Sequence, residues 1–521
     1  MSLLLALPML PLAVAAWLAR SSRTDLPGAG WIVALVAALP VAVAALAAGE
    51  RLALPDLLVL GNSALVLDET SRAALLLFGG LWVTAGLLLT RHDDVPGAGA
   101  AALLVGLSGA VTLALAEGGP LVYAGLLATG YGLYAVMAGE PGDAWRRAGR
   151  TMVVLLVVSD LLVFEVLLSQ AAHPAAALGP GLLALVIVAM ALRGGVPPAH
   201  AWLPPALAAV RPPTAMLLVA VPPGAALFGF LKMFPGGLPE VAAACILLGS
   251  AGAVWMLFAG LARSRPRTTL GYALGATAAL LLSAASTGAG PGAGLAWLGV
   301  ALLACCAALP LVALLRPGSA RDTAIAVALG VHGLAGGLAA LHAAAVLPRW
   351  GAWLAPVGAL IATLLLTVTA RRTPAAAADG TGEGTTRLVF APLALAAAAL
   401  GLAWGTRVPG FDALWLAPVA VTLGLVAYRV LPRRRRPHVP RGDLPGPVER
   451  GVGVLASALH AACMRDLPRL RDRLIASLLG LWDGEAWSRR ILYLDLRLRA
   501  WPATSLMLLL FALGAAWLLA A

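Results

Sequence analysis

The chain has 521 residues, is 61% hydrophobic and only 12% charged, and has a mean hydropathy of +0.92. A soluble core cannot absorb that much apolar surface, so a soluble enzyme is excluded and an all-α polytopic membrane protein is predicted. The net charge of +12 does not point to nucleic acid, because the Arg residues are spread over short links between apolar runs and act as topology signals.

Apolar runs of roughly 17–22 residues predict about sixteen transmembrane helices. The first, at 3–19, lacks a basic start and is followed by many like it, so it reads as a retained helix and not a signal peptide. A second run occupies 29–48. The link from Glu50 to Arg72, "ERLALPDLLVLGNSALVLDETSR", is too polar to span and has a Gly-Asn turn between short apolar stretches. It predicts an external hairpin. Runs at 73–90, 98–116, 119–138, 151–170 and 178–197 follow. The seventh leads into Arg193–Ala215, "RGGVPPAHAWLPPALAAVRPPTA", whose prolines must break a helix and free backbone groups that lipid cannot satisfy.

Further runs lie at 213–234, 239–262, 268–287, 293–315, 323–346, 352–370, 388–404 and 412–430, with a last one at 503–521. The stretch 373–386, "TPAAAADGTGEGTT", is low-complexity. After the basic run Arg433–Arg436, Leu467, Leu470, Leu474, Leu478 and Leu481 recur at helical spacing, with Arg469, Asp472 and Arg473 on the other side. This predicts an amphipathic lateral helix lying on the membrane or along partner subunits, with a plain connector as the alternative. The organisation expected is two spans and a hairpin at 1–72, a core at 73–346, further spans and a basic loop at 347–446, the lateral helix at 447–500 and a last span at 501–521.

Charge supports this count. Links after odd-numbered runs carry Arg20 and Arg23, Arg91, Arg146, Arg147 and Arg150, Arg211, Arg263, Arg265 and Arg267, Arg316 and Arg321, Arg371 and Arg372, and Arg433–Arg436. Links after even-numbered runs hold little beyond Arg51, Arg72, Arg349 and Arg407. The asymmetry predicts cytoplasmic odd links and an N-terminus outside, in a multi-pass protein of a bacterial-type inner membrane.

Cys245, Cys305, Cys306 and Cys463 form no C-x-x-C pair and read as small buried hydrophobes. The sequence has no phosphate loop, no dinucleotide fingerprint, no H-E-x-x-H and no paired histidines for haem. No catalytic residue, metal or cofactor is therefore expected.

The broken segment resembles a known family. "RGGVPPAHAWLPPAL" is similar to the signature of proton-translocating antiporter-like subunits, found in respiratory complex I, Mrp-type Na+/H+ antiporters and membrane-bound hydrogenases. Pro198, His200, Trp202, Leu203 and Pro204 match its Pro-x-His-x-Trp-Leu-Pro in order, and Thr214-Ala215 takes the place of Ser-Ala. "LVLDETSRAALLLF", "RPRTTLGYAL" and, more weakly, "GVHGLAGG" resemble further family segments, so the likeness covers about residues 55–345. It implies two inverted repeats with broken helices, other membrane subunits as partners alongside the lipid bilayer, and at most a non-catalytic component of a proton-translocating oxidoreductase.

The same resemblance exposes what is missing. The family pairs a Glu on its fifth span with a Lys on its seventh, then relays protons through Lys or His to its twelfth. Here Leu127 falls at the Glu, Arg193 at the Lys, Leu218 at the next His and Ala340 at the distal Lys. A buried Lys can titrate in the working range, whereas Arg keeps its proton. The single lysine, Lys232, sits where the family carries an Arg and reads as a snorkelling anchor. Asp68 reads as a cap or anchor of the third span.

The remaining ion-path candidates are Arg193, Glu165, His200 and His342. Of Asp160 and Glu165, five residues apart, Glu165 is expected to lie in the membrane and to pair with Arg193, as a structural ion pair or as a relay step. His200 reads as a structural histidine or a relay group, and His342 as a stand-in for the missing Lys. The function expected is a membrane subunit with degenerate half-channels and a structural or coupling role. The alternatives are an active H+ or Na+ transporter using Arg193, Glu165 and His342, and a stand-alone solute carrier.

Overall fold

A computed structural model describes residues 3–286, apart from 21–27, 55–62, 91–96, 140–143, 173–177, 262–265 and the single positions 198 and 211. The chain divides into two compact units, Met1–Leu444 and Pro445–Ala521, and every described residue belongs to the first. The runs expected from 293 onward, the lateral helix, Ala340 and His342 lie outside the described residues, as does Pro198.

The described chain is mostly helical. Its helices are α1 (Leu3–Arg20), α2 (Ala29–Leu46), α3 (Glu69–Leu89), α4 (Gly97–Leu115), α5 (Gly119–Ala138), α6 (Ala144–Ala172), α7 (Pro180–Gly194), α8 (Leu203–Ala209), α9 (Pro212–Met233), α10 (Pro239–Leu261) and α11 (Pro266–Ala285). Helices α1–α7 and α9–α11 fall on the first ten apolar runs. Among the described residues, seven segments are long and apolar enough to cross a membrane: α1 to α5, Ala148–Ala172 of α6, and Pro180–Ala209. Apolar solvent explains the choice of helix, since each such segment satisfies its own backbone. Proline in the first turn, as at Pro180, Pro239 and Pro266, removes a donor that would have no acceptor there.

Two boundaries differ from expectation. Helix α6 starts at Ala144, well before the apolar run, and carries exposed Arg146 and Arg150 on its polar extension. The seventh span does not end near residue 197. It breaks after Gly194, passes through a 3-10 turn at Ala199–Trp202 and resumes as α8, so the break lies within the span.

The expected hairpin forms. Strands β1 (Glu50–Leu54) and β2 (Ser63–Leu67) pair antiparallel, with Glu50 opposite Leu67 and Leu54 opposite Ser63. A third strand, β3 (Ala116–Glu117), adds to the β2 edge directly after α4, a pairing that two residues of sequence do not announce. Arg51 donates to Glu117 at 2.7 Å across this sheet. Beside it, Asp68 caps α3 by accepting from Ser71 N at 2.6 Å. Arg72 donates to the carbonyls of Ala44 and Ala47, which end α2.

Helices close on one another through small residues, as expected where lipid supplies no hydrophobic contrast. A Cβ at Gly86 would meet Ala34 N of α2 at 2.6 Å, and one at Gly30 would meet Gly86 O at 2.6 Å. Across α4 and α5, a Cβ at Gly125 would meet Leu113 N at 2.7 Å. Side-chain bonds tie the same layers: Trp82 Nε1 donates to Leu103 O at 2.8 Å, and Ser108 Oγ to Pro8 O at 2.8 Å.

Candidate functional site

The site is built by the end of α7. Gly195 takes a left-handed φ of 66° and ψ of 32°, a conformation that glycine adopts without strain. Val196 N then reaches back to Ala191 O at 2.9 Å, which closes the helix end. The next freed carbonyl, Leu192 O, accepts from the Trp202 indole at 3.3 Å. Trp202 is 1% exposed, so the motif tryptophan seals the break and repairs part of its hydrogen bonding. Leu203 and Pro204 are buried beside it and begin α8, and Pro204 Cα would lie 2.6 Å from a Cβ placed at Gly271 of α11. His200 is fully buried, with its ring centroid 5.6 Å from that of Tyr272.

The last turn of α7 carries Arg193 inward. It shares a buried face with Leu183, Val186, Ala189 and Met190, and is itself 2% exposed. Its Nη2 makes an ion pair with Asp160 Oδ1 of α6, and its Nη1 donates to Leu126 O of α5 at 2.7 Å. The Tyr131 hydroxyl reaches the same Asp160 carboxylate. Gly130 makes the approach possible, because a Cβ there would stand 2.8 Å from Nη1. Asp160 Oδ2 and Arg193 Nε make no hydrogen bond among the described residues. Ser159 Oγ clips α6 to α7 nearby, donating to Ala189 O at 2.8 Å.

The expected pairing of Arg193 with Glu165 is therefore corrected. Asp160 is 4% exposed and holds the cation, whereas Glu165 lies on the exposed side of α6, one turn beyond Leu161, itself 63% exposed. The physical reason is angular. Residues 152, 156, 160, 163 and 167 make the buried stripe of α6, and position 165 is turned well away from it. The structure thus brings together Arg193, Asp160, Tyr131 and the Leu126 carbonyl, with His200 and Trp202 at the break and Glu165 outside the cluster. Half-buried Leu127 neighbours the accepting carbonyl, and Leu218 is fully buried. Lys232 ends α9 with Nζ 3.5 Å from Ser71 Oγ and 5.5 Å from the Phe228 ring centre, near the Asp68 cap of α3.

No family model and no curated protein matches the sequence. Solved structures do match in shape. The fold superposes on a chain of respiratory complex I from Thermus thermophilus with bound NADH, with a TM-score of 0.62 and 18% identity, covering 82% of this chain and 100% of that one. It also superposes on a chain of the Mrp complex from Dietzia sp. DQ12-45-1b, with a TM-score of 0.61 and 17% identity over 100% of this chain. This chain has the fold of those complex I and Mrp-complex chains. It spans 63% of the length of the Mrp chain. Leu127, where the resemblance expects a Glu, carries no charge, and Asp160 of α6 holds the Arg193 cation.

Proposed function

We propose that this chain is a membrane subunit of a multisubunit ion-translocating assembly of the complex I, Mrp or hydrogenase kind, with degenerate half-channels and a structural or coupling role. The observation that carries the reading is the buried Arg193–Asp160 pair. A guanidinium does not release its proton in a protein, so it cannot alternate between charged and neutral forms as a relay lysine does. The backbone carbonyl that completes its coordination holds no exchangeable proton either. What remains is a fixed cation neutralised by a fixed anion, clamping α5, α6 and α7 together. Retention of the proline break without the titratable pair fits a subunit that keeps the family shape and has lost conduction.

The rest of the reading joins the inverted repeats that the resemblance implies to the cytoplasmic odd links and external N-terminus that the Arg asymmetry implies, with a core at 73–346 and, from its leucine periodicity, a lateral helix at 447–500. Reconstitution into liposomes with an internal pH-sensitive or Na+-sensitive dye tests the conduction claim. The expected result is flux no higher than in empty vesicles. A proton or Na+ flux abolished by Glu165→Gln or His342→Ala overturns it and favours the active-transporter reading. Expression with the neighbouring genes and mild-detergent purification tests the assembly claim, which fails if the chain comes out alone.

A further inference from the structure

Helix α6 carries two carboxylates, and only Asp160 has a described partner. Glu165 faces outward with Leu161, and no described residue donates to it. It lies about 10 Å along the helix axis from the end of the apolar segment Ala148–Ala172, at ~1.5 Å per residue. The Cα–Cβ bonds of a helix tilt toward its N-terminus, so this short side chain leans toward the middle of the segment and not toward the nearer membrane surface. The local helix end offers no help, because the C-terminal half of a helix dipole is negative. An anion in that position facing hydrocarbon is costly, and membrane proteins pair or cover such groups.

We infer that the Leu161–Glu165 face of α6 is a docking surface for a transmembrane helix of a neighbouring subunit that presents an Arg or Lys to Glu165. The inference rests on the assembly reading above. Charge complementarity selects the occupant: acyl chains supply no donor, and the same face of a second copy would set Glu165 against Glu165 across a two-fold axis. Leu161, one turn before and 63% exposed, supplies the apolar contact beside the ion pair.

The test uses the full chain expressed together with its neighbouring genes, carrying photoreactive benzoyl-phenylalanine at position 161. Irradiated membranes are purified in mild detergent and adducts mapped by mass spectrometry. The expected adduct joins position 161 to another subunit within about one turn of an Arg or Lys in a membrane segment. Glu165→Lys is expected to cut its yield by about tenfold or more, and Glu at the partner's basic position to restore it. Glu165→Gln, which adds no charge, gives the same direction of loss should the Lys variant fail to insert. Adducts to lipid only, to this chain's own residues or to a helix without a basic residue overturn the inference, as does a yield indifferent to Glu165. If other subunits co-purify while position 161 marks lipid, this inference fails alone; if nothing co-purifies, the assembly reading fails with it.

Discussion

Asp160 and Glu165 have the same chemistry and lie on the same helix, yet their surroundings assign them opposite roles. Removing the inward charge strands a buried guanidinium, so Asp160→Asn is expected to destabilise the fold by about 3–5 kcal/mol. The double variant Asp160→Asn/Arg193→Met is expected to recover most of that loss, since neither charge is then left without a counter-ion. Thermal or SDS unfolding of the purified chain reads both outcomes, and a double variant as unstable as the single one defeats the assignment. The Arg51–Glu117 bridge behaves differently. Its hydrogen bond to Glu117, and then the carboxylate's charge, raise the Arg51 pKa above its ordinary value. A group raised in the folded state stabilises at every pH below its unfolded value and loses that effect only as pH climbs through the folded value. For an Arg, that window lies in strong alkali. Arg51→Gln is therefore expected to leave the pH profile of unfolding unchanged near neutrality, and the wild-type bridge to weaken with salt because it is exposed.

At the scale of elements, the break in the seventh span is held by specific contacts. Trp202 is almost fully buried and also donates to Leu192 O. Trp202→Ala is expected to cost about 3–5 kcal/mol by transfer and cavity effects together. Trp202→Phe keeps most of the volume and loses the indole donor, so a smaller loss separates packing from hydrogen bonding. The helix contacts at glycine are as strict. Gly86→Ala would drive a methyl into the backbone of α2, with an expected loss of about 1–3 kcal/mol. Gly181, whose added Cβ meets nothing within 4 Å, is the control. The runs that became α1 to α7 and α9 to α11 were legible because length and apolarity suffice to mark a helix in lipid. The hairpin was legible from the short apolar stretches that supply β1 and β2. Strand β3 was not, since its two residues acquire extended structure only by pairing with β2.

The whole molecule is a multi-pass membrane protein with the fold shared by chains of respiratory complex I and the Mrp complex. Composition determined the class, the prolines and "HAWLP" announced the break, and Arg193 announced itself as a cation at the end of an apolar run. Which carboxylate meets that cation was decided only by tertiary structure. In a soluble helix the polar face shows which side is outward, but in lipid both faces of α6 are apolar and periodicity does not separate Asp160 from Glu165. The same reason hid Tyr131 and the Leu126 carbonyl, which join the site because Gly130 lets Arg193 come close to α5. Sequence alone determined which residues had to be accommodated inside the membrane, and helix packing decided which of them meet.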